Sequence, residues 1–446
     1  MKLVYVVVFT ITLSTLFAQN VEFSPLSRFG IGDLSRSTNS IINQLGKQSS
    51  AFASEDVFNM DNPASLGFLK LTDAELGFDA KYKVISFEKG NSLKDWSGNL
   101  NHIGIGVPFR NTINEVLDRK TYNYAMGMSL VLKPYSKLGY NFQLKDSSIE
   151  FGNKIRNVNA RGGLSQLSLG YGFRKKNLAL GLGLDYIFGS FKYDQYLYFD
   201  DIAYADNSLL KDNINSNGFG FGISTIYKQV LNRKQIAIEK TIKEKRIQYG
   251  LVVNLPINMN TKYNALHTST SLFEANASNL YVIDTVKYVE NQKESTKLPL
   301  KVNAGILYDH QGKYGISLNY GIEFWEDAKL HSIQKGSLKN AMNIGIGYWV
   351  RPDRTIYGNL FQRSQYRFGA NYGTDYRNIN SITASTFSIS AGMGIPFTFQ
   401  RQNTLINFGL EYGQLDFSPV LNEKYIKLNL GFTINDNEWF LKRRYD

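Results

Sequence analysis

Histidine, cysteine and glycine-rich turns are the groups from which a catalytic or metal centre is usually built, and here they are sparse. Cysteine is absent, which removes thiolate metal ligands, a cysteine nucleophile and any disulfide framework. The four histidines, His102, His267, His310 and His331, are widely separated and lack metal-ligand spacing, so they read as lumen or loop residues. Gly218-Phe219-Gly220-Phe221-Gly222 looks superficially like a phosphate loop. No helical pattern follows it, and strand alternation with inward glycines accounts for it better. A Ser/His/Asp set is assembled in space rather than in sequence, and nothing in the chain points to one. No catalytic residue, metal or cofactor is assigned, and an enzyme is not expected.

The elements that any functional residue must sit on are more legible. Behind Met1-Lys2 runs a short apolar stretch, Leu3 to Leu13, ending in Leu16-Phe17-Ala18-Gln19. This pattern predicts a secretory signal over 1–18, cleaved after Ala18. No other stretch is long enough for a spanning helix, so the mature chain is either a soluble exported protein or a membrane protein of the β kind. With 43% hydrophobic residues, 29 Phe, 28 Tyr, 38 Gly and only 9 Pro, disorder and collagen-like structure are excluded.

Alternation decides between the two. Leu178, Leu180, Leu182, Leu184, Tyr186 and Phe188 alternate with small or polar residues, and Ile426, Leu428, Leu430, Phe432 and Ile434 repeat the pattern near the C-terminus. The apolar faces carry almost no charge, and Tyr and Phe gather toward strand ends, as in Tyr193, Tyr196 and Tyr198. Lipid exposure demands both features, and strands crossing a bilayer must close into a barrel. About 14 antiparallel strands are expected over 71–434, an all-β transmembrane outer-membrane barrel with both ends in the periplasm. The segments 200–215 and 259–296 are expected as outer connections. Residues 435–446 form a basic periplasmic tail.

The stretch 19–70 does not read as strands. A barrel of this size has a lumen wider than wall side chains fill, so this segment is expected to be an N-terminal plug, with a periplasmic extension as the alternative.

Within it, Ser54-Glu55-Asp56-Val57-Phe58-Asn59-Met60-Asp61-Asn62-Pro63-Ala64-Ser65-Leu66 resembles the end of the hatch in the FadL/TodX outer-membrane transporters of hydrophobic compounds. Asn62-Pro63-Ala64 matches that family's Asn-Pro-Ala motif, and the resemblance extends over the mature chain. Runs such as Tyr366-Arg367-Phe368-Gly369 and Trp439-Phe440-Leu441-Lys442-Arg443-Arg444-Tyr445 look like the family's Bacteroidota branch. The resemblance implies transport of a hydrophobic small molecule, fatty-acid-like or otherwise lipidic, through a plugged lumen with a lateral exit at the third strand. Asn62, Pro63 and Ala64 would form the gate against that exit. The physical candidate for the opening is Leu132-Lys133-Pro134-Tyr135, because Pro134 cannot donate a ladder hydrogen bond. The alternative there is a strand that ends at Leu132, with Pro134 starting a turn.

The family captures its ligand in an apolar groove of outer loops, whereas 200–215 is short and acidic and 259–296 mostly polar. A second function class therefore stands beside transport: a non-transporting barrel, PorV-like, serving as a subunit or scaffold of an envelope protein machine. A widened lumen with a side opening near Pro134 would favour the first; a sealed plug would favour the second. The formal charge is +12, and Lys228, Arg233, Lys234, Lys240, Lys243, Lys245 and Arg246 surround one expected periplasmic connection, with Lys442, Arg443 and Arg444 on the same side. Outer-membrane lipids or an envelope protein partner fit this charge, as does an ordinary solvated face; nucleic acid does not.

Overall fold

The computed structural model describes residues 22–438, apart from 37–38, 48–49, 88–89, 121, 149–151, 200–204, 240–241, 273–279, 331–336, 353–358, 380 and 400–401. The expected signal segment 1–18 and the basic triplet Lys442, Arg443 and Arg444 lie outside the described residues, as does His331.

Alternating apolar and small residues build the wall. Its elements are β1 (Thr72–Phe87), β2 (Ser92–Pro108), β3 (Tyr124–Ser148), β4 (Gly152–Lys175), β5 (Leu178–Phe199), β6 (Asn207–Val230), β7 (Lys245–Asn254), β8 (Ile257–Leu272), β9 (Leu280–Leu298), β10 (Lys301–His310), β11 (Tyr314–Glu323), β12 (Ala341–Val350), β13 (Gln365–Ile379), β14 (Ile382–Phe399), β15 (Gln402–Phe417) and β16 (Leu421–Asp436). Two wall strands are interrupted where proline withholds an N–H: β7 runs on into β8 across Leu255-Pro256, and β9 into β10 across Pro299-Leu300. Counted as single strands they give a closed antiparallel barrel of 14. Closure is made by β16 against β1, in register from Leu421↔Phe87 to Asp436↔Thr72.

The outward positions are apolar around the wall, with Leu182 61% exposed, Phe221 60%, Ile346 52% and Leu410 50%. Such a band suits lipid, whereas a water-soluble sheet would bury it. Among the described residues no helix is long and apolar enough to cross a membrane.

The wall is uneven in height. β3 to β6 are 22 to 25 residues long, while β10, β11 and β12 have 10 each, about what a bilayer crossing requires. The segments expected as outer connections differ accordingly. Residues 207–215 belong to β6, and β8 and β9 pair as a long hairpin from Leu280↔Leu272 to Leu298↔Ile257. Above the membrane both faces of a strand meet water or other polypeptide, so the apolar period of two fades while backbone pairing continues. The inner face of this tall wall packs as an apolar cluster, Tyr135, Leu138, Tyr140, Phe191 and Ile214, onto Trp325, Leu330 and Tyr376 over the outer mouth. Trp325 and Tyr376 rings lie 4.3 Å apart.

Among the described residues there are also four short α-helices: α1 (Ser40–Gln44), α2 (Thr112–Leu117), α3 (Arg233–Ile238) and α4 (Leu360–Arg363).

Candidate functional site

Described parts of the segment from Glu22 to Leu71 pack against the inner face of the barrel wall. Inward-facing glycines on opposite parts of the wall leave room for it: Gly104 and Gly106 meet Phe58, Gly250 meets Ser50, Gly347 meets Leu45, and Gly409 meets Gln44. The motif residues occupy the base of this packing. Asn62 accepts from Ala64 N–H (3.0 Å) and donates to the Ser50 carbonyl (2.5 Å), capping a 3-10 turn, Pro63–Gly67, in which Pro63 sits at the first position. Proline suits that position because its missing N–H has no helical partner. Asn62 and Ala64 are fully buried. The turn rests on β4, β5 and β6 at Gly172 and Gly181, where any Cβ would overlap Pro63 and Ala64. The Ala64 N–H also lies 3.1 Å from Ser224 Oγ on β6.

The candidate opening adjoins this turn. β3 continues through Pro134 to Ser148, paired with β4 and bulged between Pro134 and Ser136, so it does not end at Leu132. On its other edge, pairing with β2 runs only from Pro108↔Gly127 to Ile103↔Leu132. Beyond that point β2 and β3 part. Leu132 is 41% exposed on the outer face. Lys133 turns inward and pairs with Asp61, one residue before the motif, at 2.6 Å. Tyr135 is buried inside, with the Lys301 ammonium 4.5 Å from its ring centre.

The parting is filled by the beginning of the N-terminal segment. Ser24 N–H donates to the Gly139 carbonyl (2.7 Å), Gly139 N–H to Ser27 Oγ (3.2 Å) and Ser35 N–H to the Tyr135 carbonyl (2.9 Å). Asp33 and Leu34 pair with Lys137 and Ser136 as a two-residue strand. Phe23 N–H reaches across to Asp95 on β2 at 3.1 Å. These residues take up β3 backbone groups that β2 leaves free, which an otherwise unpaired edge requires.

Ion pairs fix the same segment elsewhere. Glu22 lies 2.9 Å from Lys81 and 3.1 Å from Lys83 on β1. Burial alone would raise its pKa, but the Lys81, Lys83 and Lys137 ammonium groups hold it well below the usual carboxylate range. Lys47 pairs with Glu411 at 3.1 Å, and Glu411 also takes Lys427 at 2.9 Å. Arg377 spans Asp33 (2.5 Å) and Asp375 (2.7 Å), while buried Arg367 donates to Gln44 and Asn407 at 2.8 Å each. Sequence reasoning gave these groups no role, naming Arg367 only within a quoted run. Their signal is the charge at inward strand positions, such as Glu411 and Lys427, behind an apolar outer face.

Cavities inside the barrel include two of about 200 Å³ and 220 Å³. The first reaches Asp61, Pro63 and Lys133 and is lined by Arg36, Lys47, Asp185, Lys301 and Glu323; the second by Arg36, Lys81, Lys137, Asp79 and Arg377. Both are mixed chambers: charged groups share the wall with apolar side chains, Leu169, Ile187 and Ile257 in the first and Leu26, Phe387 and Leu415 in the second. Among the described residues no group of three His, Asp or Glu is placed to hold a metal. His102 lies 3.5 Å from Glu75, and His267 lies 3.0 Å from Asp212, each within a polar pair.

A family model named BamG matches residues 1–446. The chain belongs to the BamG family. Solved structures similar to this BamG-family barrel include the CymD monoaromatic hydrocarbon channel, with 14% identity, TM-score 0.51 and coverage of 91% of this chain and 98% of that one. A Pseudomonas aeruginosa FadL homologue gives 12% identity, TM-score 0.56 and coverage of 91% and 99%. The Pseudomonas putida toluene transporter TodX gives 12%, 0.54, 91% and 99%. At such identities the likeness is one of fold: a FadL-type outer-membrane barrel. No curated protein matches the sequence.

Proposed function

We propose that this BamG-family protein is a plugged, non-transporting outer-membrane barrel that serves as a subunit of an envelope protein machine, exported by a signal over 1–18. The observation that carries this reading is the closed, charged lumen. The N-terminal segment fills the gap between β2 and β3, ion pairs tie it to β1, β3, β13 and β15, and an apolar cluster covers the outer mouth. A site for an apolar solute is mostly apolar and commonly 300–1,000 Å³. Here the cavities are smaller and their walls mix apolar side chains with charged ones, so an apolar guest would strip water from Lys133, Asp185 and Lys301 without compensating them.

The test is mass spectrometry, for lipids and proteins together, on the barrel drawn gently from its native outer membrane. A stoichiometric protein companion with no apolar molecule in the lumen supports the reading. A stoichiometric apolar molecule without a companion overturns it.

A second reading, inward movement of a hydrophobic small molecule by a lateral route, is favoured by one observation. The wall hydrogen bonds between β2 and β3 stop at Ile103↔Leu132, beside Lys133, Pro134 and the Asn62-Pro63-Ala64 turn. Withdrawal of residues 22–35 would open that seam to lipid. Deleting Asn62-Pro63-Ala64 should then cut uptake while the barrel still folds, and normal uptake in that variant rejects the route.

A further inference from the structure

At the end of the barrel where β1 begins and β16 ends, each of the six connecting sequences, 109–123, 176–177, 231–244, 311–313, 351–364 and 400–401, has more Lys and Arg than Asp and Glu. The connecting sequences of the opposite end differ when taken together, with eight Asp and Glu against four Lys, although 324–340 alone has three Lys against two acidic residues. The net positive charge of the chain is therefore concentrated on one rim, the periplasmic one in a barrel of this kind.

Three of these connections carry the helices α2, α3 and α4, and each presents a bare apolar side chain. Val116 is 77% exposed, Ile238 89% and Phe361 67%. Around Val116 and Ile238 the cations Arg119, Lys120, Arg233, Lys234 and Lys243 are exposed as well, with Asp118 and Glu239 among them, and Arg363 stands half-buried near Phe361. The aromatic residues that mark the headgroup level lie closer to the wall: Tyr124 opens β3, Tyr227 falls three residues before the end of β6, and Arg110 stacks on Tyr122 and Tyr124 at 3.9 and 3.6 Å. The helices stand in the connections themselves, outside the wall strands. Apolar knobs among fixed cations are the composition of a docking surface with charge-selected encounter.

We propose that this rim docks an acidic periplasmic protein surface with apolar sockets for Val116, Ile238 and Phe361. The proposal rests on the machine-subunit reading and names the chemistry of its partner. The test places a photocrosslinking amino acid at 116, 238 or 361 of the full chain in its native membrane. The expected result is one protein, identified by mass spectrometry, joined from at least two positions through peptides rich in Asp and Glu. Charge reversal in R233E/K234E/K243E, or separately R119E/K120E, should reduce its yield about tenfold while the heat-shifted mobility of the folded barrel is unchanged. The milder R233Q/K234Q/K243Q variant serves if reversal blocks assembly. Adducts to phospholipid, no adduct, or a protein adduct indifferent to these changes overturns the proposal. A stoichiometric companion retained on gentle extraction together with lipid-only adducts would sink the rim and leave the machine reading standing.

Discussion

Replacing Asp61 by Leu removes the carboxylate that holds Lys133 at the edge of the parted seam. The pair is 2.6 Å apart, with side chains 22% and 11% exposed. At an effective dielectric of about 20, unit charges at that separation attract by roughly 6 kcal/mol, most of which desolvation offsets. Removing one partner has a larger effect than the net value of the pair, because the other is left charged in a mostly enclosed site. Partial exposure lowers the usual cost for a buried pair to about 2 kcal/mol. If the cost falls on docking of the N-terminal segment, undocking should rise about thirtyfold, since about 1.4 kcal/mol is a factor of ten. The assay is conductance of the purified barrel in planar bilayers, together with protease cutting of residues 22–71. D61L and K133L should each raise open events and cutting, and D61L/K133L should raise them less than their sum. Silent single variants, or strict additivity, would refute the argument that this pair latches the lumen.

Two further changes probe the same closure. Gly181→Val puts a branched side chain where any Cβ already overlaps Ala64, so the Pro63–Gly67 turn should lift away at a cost of about 1–3 kcal/mol, read as faster protease cutting with the barrel's heat-shifted mobility kept. Glu22 has a folded-state pKa below its unfolded one, so its contribution is present above the ordinary carboxylate pKa of about 4.3 and is lost as pH falls below it toward the folded value. Amide hydrogen exchange over 22–35, corrected for intrinsic rate, should accelerate below about pH 4 in the parent and lose this step in Glu22→Gln. Exchange with the same pH profile in both proteins would count against the Lys81–Glu22–Lys83 anchor.

Much of the barrel was legible because lipid imposes a simple rule on sequence. Leu178 to Phe188 and Ile426 to Ile434 alternate cleanly since one face meets hydrocarbon and the other a polar interior. The rule stops where the bilayer stops. The β8–β9 hairpin has Tyr281, Ile283, Lys287, Tyr288 and Glu290 all exposed, so nothing in its pattern separates a strand from a loop. The site divides similarly. Asn62-Pro63-Ala64 could be marked because it matches a motif of the resembled family; its physical meaning, a capping asparagine followed by proline, is local. Phe23 to Ser35 could not, because their partners, Tyr135, Gly139 and Asp95, are more than 70 residues away and the bonds are largely to backbone.

Shared architecture and differing interior chemistry together decide how the fold likeness should be used. A FadL-type wall fixes strand number, tilt and the outward apolar band, since these answer to the bilayer; inward residues answer only to what the lumen holds. In this chain the inward positions of β1, β13, β15 and β16 supply Lys81, Lys83, Arg367, Arg377, Glu411 and Lys427, and most of these are spent on pairs with the N-terminal segment or with one another. Each such group is tolerable only while its partner stays in place. Moving the segment aside would leave several charges unpaired at once, which sets a steep cost on opening. A device meant to open on each passage of a solute would be better served by few, weak contacts. A device meant to present a fixed surface gains from many strong ones, and the wall holds the same segment on β1, β3, β13 and β15.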